Sequence, residues 1–205
     1  MHTNYYFLRQ LAPALTERLR GYRVASCFSQ EKDELVVGLL SETGAEFWLK
    51  AQLGAAFPAL ALPETFQRAR QNSVDLLPEL LGCTVAAVTA WPQDRVLQVD
   101  FEEGATLVFK LYGPRPNAIF RPAAGTLAQL FHQRYAADAE LRPGPENPVS
   151  VLLSDSGKLP PALTDLPGRF LREQRGYDSA PLATKQRLAQ ELLAELTRPA
   201  QYYLI

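Results

Sequence analysis

The strongest constraint on this 205-residue chain is that it carries one unit twice, about 61 residues apart. The first copy reads Leu19-Arg20-Gly21-Tyr22-Arg23-Val24-Ala25 and continues Lys32-Asp33-Glu34-Leu35-Val36-Val37. The second reads Leu80-Leu81-Gly82-Cys83-Thr84-Val85-Ala86 and continues Gln93-Asp94-Arg95-Val96-Leu97-Gln98. Leu, Gly, Val, Ala and Asp recur at that offset. After a one-residue slip, Gly44-Ala45 and Lys50 match Gly104-Ala105 and Lys110. Self-similarity bounds architecture before any single motif does, and two copies are too few for a solenoid. They imply one pseudo-symmetric domain in which each half covers the other's apolar face.

Each copy reads as a helix followed by three strands. In the first, Leu8, Leu11, Leu15 and Leu19 share a helical face, with Gly21 as the C-terminal cap. In the second, Phe66, Ala69, Leu76, Leu77 and Leu80 take that part, with Gly82 as the cap. Pro13 and Pro78 fall inside these segments and predict kinks or breaks. Strands are expected over 23–29, 34–40 and 46–53, then over 84–90, 95–101 and 106–112, with glycine turns at Gly44 and Gly104. A short strand follows at 117–120. Residues 1–125 therefore form the first domain of an α+β chain. Residues 126–205 form a helical region, with helices expected over 126–141, 164–174 and 181–197 and a Pro-rich link at 142–148. The apolar end Tyr202-Tyr203-Leu204-Ile205 reads as the start of a longer protein's continuation.

Composition excludes several function classes. A net charge of −1 argues against coating nucleic acid by bulk electrostatics and leaves room for a local basic patch. Sixteen of the 21 basic residues are arginine, the better bidentate ligand for phosphate. No apolar run approaches the roughly 20 residues that span a bilayer. Met1-His2-Thr3-Asn4 lacks the charged start of a signal peptide, so a cytoplasmic location is expected. Cys27 and Cys83 then read as buried, reduced thiols. His2 and His132 have no cysteine or paired carboxylate nearby, so no metal is expected. No glycine-rich phosphate loop appears, and Ser29, Ser41 and Ser73 lack an activating partner. The reading is a non-catalytic binding module with no cofactor and no small-molecule substrate.

Two segments carry the binding candidates. Asp94-Arg95 corresponds at the repeat offset to Asp33-Glu34, so Arg95 puts a cation where the other half has an anion. By strand parity Arg95 shares a face with Leu97 and Val99, yet it lies at the strand's mouth. Its guanidinium could grip a phosphate or a base edge, or could pair with Asp94. The second segment is the rigid loop Gly113-Pro114-Arg115-Pro116-Asn117, with Lys110 before it. It either presents Arg115 and Asn117 to a ligand or uses Asn117 to satisfy local backbone groups. Trp91, beside Arg95, is placed to stack on a base.

These residues resemble the N-terminal domain of the NFACT proteins, also described as fibronectin-binding protein A N-terminal. The resemblance rests on Leu19-x-Gly21-x-Arg23-Val24, Lys32-Asp33-Glu34-Leu35, Asp94-Arg95 and Gly113-x-Arg115-x-Asn117. Asn4-Tyr5-Tyr6-Phe7-Leu8-Arg9-Gln10-Leu11 and Arg70-Gln71-Asn72-Ser73-Val74-Asp75-Leu76 resemble the Bacteroidetes branch. The likeness spans residues 1–125 and is looser over 126–205, where the family has a helix-hairpin-helix-like module. It implies a two-layer antiparallel β-sandwich with flanking helices, similar to the N-terminal domain of formamidopyrimidine-DNA glycosylase. It implies a tRNA- and large-ribosomal-subunit-binding part of a ribosome-associated quality control factor. Such factors act on stalled peptidyl-tRNA, and in bacteria they add an alanine tail to the nascent chain. The tRNA-binding residues it implies are Asp94, Arg95, Lys110, Gly113, Arg115 and Asn117. Lys110 and Pro116 depart from the acid and serine of better-known members. Two other classes remain as alternatives: a DNA-lesion-processing domain, which here lacks the N-terminal proline nucleophile, and a surface fibronectin-binding adhesin.

Overall fold

The computed structural model describes residues 5–92, 94–123, 127–144, 159, 163 and 166–197. The described residues up to Gly144 form one unit, and those from 159 to 197 a second. In the first unit, helix α1 (Tyr5–Leu19) precedes two five-stranded antiparallel sheets. One holds β1 (Arg23–Ser29), β2 (Glu34–Leu40), β3 (Glu46–Gln52), β4 (Ala59–Ala61) and β5 (Val74–Asp75), in the order β4-β3-β2-β1-β5. The other holds β6 (Val85–Ala90), β7 (Val96–Phe101), β8 (Thr106–Lys110), β9 (Asn117–Arg121) and β10 (Gln129–Leu130), in the order β10-β9-β8-β7-β6.

Alternation sets the core. Leu35, Val37 and Leu39 of β2 and Leu97, Val99 and Phe101 of β7 enter one buried cluster, joined by Leu8, Leu11, Leu15 and Leu19 of α1. Burying each such side chain contributes about 1.5–3 kcal/mol. The helix is fixed to β6 by Thr16, whose hydroxyl accepts from the Val88 N–H at 2.8 Å and lies 2.9 Å from the Val88 carbonyl. Pro13 sits inside α1 without ending it.

The repeat appears as a reciprocal seam. Gly21 N–H donates to Val85 O (2.9 Å) and Gly82 N–H donates to Val24 O (2.8 Å). Val24 N–H donates to Cys83 O (2.9 Å) and Val85 N–H donates to Tyr22 O (2.8 Å). Where two residues bond, their counterparts at the repeat offset bond in the same way, the signature of a two-fold relation. Gly21 and Gly82 take φ values of 81° and 85°, which a side chain would disfavour, so the chain can turn into the seam. Both sheets then carry a β-bulge at the same place, between Val24 and Ser26 and between Val85 and Ala87.

Three expectations are corrected. Residues 66–80 are not a second helix. Phe66 packs on Phe28 and Trp48 (5.9 and 5.4 Å between centroids), Val74–Asp75 join the first sheet as β5, and Leu77 and Leu80 enter the core. Only the 3₁₀ turn Pro78–Leu80 is helical there. Pro78 and the left-handed Leu77 (φ 49°) interrupt a helix over this segment. Residues 127–141 likewise form β10 and the 3₁₀ turn Ala136–Glu140, not a helix, because they extend and cover the second sheet.

The third correction concerns register. With the seam and the bulges matched at an offset of 61, Ser26 pairs with Gly38 and Ala87 with Asp100, so β7 follows β2 at an offset of 62. Arg95 is thus the counterpart of Asp33, and Leu97 that of Leu35.

In the second unit, α2 (Leu166–Arg175) and α3 (Leu182–Thr197) bury Leu171, Tyr177, Leu188, Ala189 and Leu192 around Leu163. Arg175 of α2 reaches Glu195 and Glu191 of α3 at 3.1 and 3.8 Å.

Candidate nucleic-acid interface

Asp94 and Arg95 lie in the β6–β7 hairpin. Trp91 N–H donates to Val96 O (3.0 Å), and Arg95 N–H donates to the Asp94 carboxylate (2.7 Å). The carboxylate thereby shapes the turn. Burial pushes the Asp94 carboxyl above its ordinary range, while the Arg95 N–H, the Arg95 guanidinium and Lys110 pull it back down. Arg95 is exposed, and its guanidinium makes no ion pair within 4 Å among the described residues. Its counterpart is Asp33, whose carbonyl accepts from Leu53 N–H (2.6 Å). The strand end thus carries a cation where the other sheet carries an anion. Arg95 O accepts from Leu111 N–H (2.9 Å), which ties the hairpin to the loop after β8.

That loop divides the remaining candidates. Gly113 (φ 68°) and Arg115 are exposed. Lys110 and Asn117, expected at the surface with them, face inward at 9% and 0% exposure. They sit opposite each other in the β8–β9 pairing, beneath the segment that follows β10. Lys110 Nζ lies 2.7 Å from one oxygen of Asp138, and the Asn117 amide donates to the other at 2.9 Å. Asn117 also accepts from His132 N–H (2.8 Å) and donates to His132 O (3.3 Å). His132 Nε2 stands 3.2 Å from Leu53 O and 3.7 Å from Asp33 of the first sheet. Trp91 is also corrected. It is buried against Val96, Val108 and Ile119, its indole N–H donates to Gln98 (2.9 Å), and it offers no ring for a base. Lys110, Asn117 and Trp91 thus build the platform rather than the surface. The same buried charges act on Tyr112, whose hydroxyl is pushed up by burial and then by Asp94 and Asp138.

Sequence reasoning missed Arg134, Tyr135 and Asp138 as site residues, because a helix over 126–141 gives no sign that this segment lies against Lys110, Arg115 and Asn117. In the structure Tyr135 lies against two guanidinium groups, Arg115 at 5.7 Å and Arg134 at 4.7 Å from the ring centroid. Among the described residues no group of three or more His, Cys, Asp or Glu could hold a metal ion, and no helix is long and apolar enough to cross a membrane. Cys27 and Cys83 are both free and buried.

No family model and no curated protein matches the chain. Solved structures do. The fibrinogen-binding protein from Staphylococcus aureus matches with a TM-score of 0.67 at 14% identity, over 97% of this chain and 84% of that one. The N-terminal domain of the fibronectin-binding protein PavA from Streptococcus pneumoniae matches with a TM-score of 0.57 at 16% identity, over 93% and 84%. The chain has the fold of fibronectin-binding protein N-terminal domains. The N-terminal part of the fibronectin/fibrinogen-binding protein from Streptococcus suis also matches (TM-score 0.55, 16% identity, 92% and 79% coverage). At these identities the likeness is one of fold, and the α+β architecture expected from the repeat is the one observed.

Proposed function

We propose that this chain is a non-catalytic tRNA- and large-ribosomal-subunit-binding module of a ribosome-associated quality control factor. Its contact with RNA is made by Arg95, oriented by Asp94, with Arg115 of the β8–β9 loop as a further cation. The observation that carries this reading is the exposed guanidinium of Arg95, with no ion pair within 4 Å among the described residues, at the strand end where the matching sheet has the acid Asp33. A cation kept there, with its backbone held by the Asp94 carboxylate, is poised for a phosphate or a base edge. The fold shared with fibronectin-binding protein N-terminal domains supports it, as does the resemblance of the Asp94-Arg95 and Gly113–Asn117 segments to the NFACT pattern.

Fluorescence anisotropy with bulk tRNA and with duplex DNA tests this reading. The wild-type chain is expected to bind tRNA with strong salt dependence and to prefer it to the duplex. Arg95→Ala is expected to weaken that binding at least tenfold. Unchanged affinity in Arg95→Ala removes Arg95 from the site, and absent tRNA binding by the wild type overturns the function.

A further inference from the structure

We propose that Arg115, Tyr135 and Arg134 form a clamp for the phosphodiester backbone of RNA, a sequence-independent contact separate from the Arg95 contact. The inference rests on the RNA-binding reading above and assigns two residues that the reading does not contain.

The geometry begins with Tyr135. Its backbone N–H donates to His132 O (3.1 Å), its carbonyl accepts from Asp138 N–H (2.8 Å), and its ring meets the His132 ring edge-on at 5.8 Å. The turn that carries it is thus anchored to the buried Asp138. Two exposed guanidinium groups rest near this ring, and their distances from its centroid put them at most about 10 Å apart. Planar guanidinium groups held against an aromatic ring lose less freedom on binding than free arginines do.

Neither arginine has a carboxylate within ion-pair distance among the described residues. The nearby Asp138 has one oxygen on Lys110 and the other on Asn117, and Asp33 faces His132. Like charges gathered without an anion between them leave a local positive spot on a chain whose net charge is −1.

The choice of a polyanion over a single small anion comes from strand order. Val96 pairs with Lys110, Lys110 with Asn117, and the His132 backbone bonds the Asn117 side chain, so all four mark one end of the second sheet. Arg95 lies in the β6–β7 connection, Arg115 in the β8–β9 connection and Arg134 in the segment after β10, so each leaves the sheet at that end. Unpaired cations spaced along one rim match an extended chain of phosphates.

Salt dependence tests this with the intact 205-residue chain. Binding of bulk tRNA is followed by anisotropy across a salt series for wild type, Arg134→Gln, Arg134→Lys and Tyr135→Ala. One lost phosphate contact lowers the slope of log K against log salt by about 0.7 to 0.9. Arg134→Gln is expected to show that loss with several-fold weaker binding, and Arg134→Lys to keep the wild-type slope. Tyr135→Ala is expected to weaken binding with both arginines still present. Tight wild-type binding with an unchanged slope in Arg134→Gln overturns the clamp and leaves the tRNA reading standing. Absent wild-type binding overturns both.

Discussion

Asp138 is the residue on which the buried polar platform of the second sheet depends, and its removal gives a prediction whose size follows from the contacts. Asp138→Ala strips the counter-ion from Lys110, whose side chain is only 11% exposed. Breaking a buried pair by deleting one partner costs about 3–5 kcal/mol, because the remaining charge is left desolvated. The Asn117 amide loses its 2.9 Å acceptor but keeps His132 O at 3.3 Å, so it adds less than the full cost of an unmet donor. The expected loss is therefore about 3–5 kcal/mol. Urea unfolding followed by tryptophan emission measures it, since Trp48 and Trp91 both belong to the first unit. With a slope of about 2 kcal/mol per molar, the midpoint falls by roughly 2 M. A Lys110→Met/Asp138→Leu double variant is expected to recover most of this, since an apolar pair of similar volume replaces the charges. A single variant within about 1 kcal/mol of wild type, or a double no more stable than the single, refutes the argument that Lys110 depends on Asp138.

Two further outcomes follow from packing and from burial. A Cβ at Gly38 falls 2.5 Å from both Ser26 Oγ and Trp48 Cζ3, so Gly38→Ala is expected to cost about 1–3 kcal/mol and to shift tryptophan emission; wild-type stability with unaltered emission contradicts that crowding. Burial pushes the Cys27 thiol up from 9.0 to about 12 and the Tyr6 hydroxyl up from 10.0 to about 12. Both are acids whose neutral form is favoured in the folded state, so stability is full below pH 9 and falls as the unfolded chain ionises between pH 9 and 12. Cys27→Ala is expected to flatten the part of that fall beginning at pH 9, and parallel alkaline curves for variant and wild type argue against it.

The strands were legible in the sequence because their signals are local. Alternation in Leu97-Gln98-Val99-Asp100-Phe101, turn glycines and the recurrent Leu-x-Gly placed β1 to β3 and β6 to β9 to within two residues. The helical readings of 66–80 and 126–141 failed for one physical reason. Their apolar residues are spaced as in a helix, but each segment packs against a sheet, and a sheet accepts side chains from an extended strap as readily as from a helix. Nothing in the sequence records that the sheet is there to be covered. The candidate site split along the same line. Arg95 and Arg115 were visible as cations beside turn residues. The burial of Lys110 and Asn117 depends on the segment that carries Asp138, more than 20 residues away in the chain. Their alternation alone could not tell a covered outer face from an open one.

The seam between the two sheets has a consequence for how this chain can change over time. Gly21 and Val24 bond to the segment at Gly82 and Val85, which in turn bond back to them. An alteration on one side meets its own counterpart, so both copies of the sequence must be altered together for the junction to survive. The outer straps carry no such obligation, and there the two halves differ: the first sheet is flanked by the extended segment that holds Phe66, the second by β10 and the 3₁₀ turn Ala136–Glu140. The repeat is thus kept where the halves answer each other and absent where they do not.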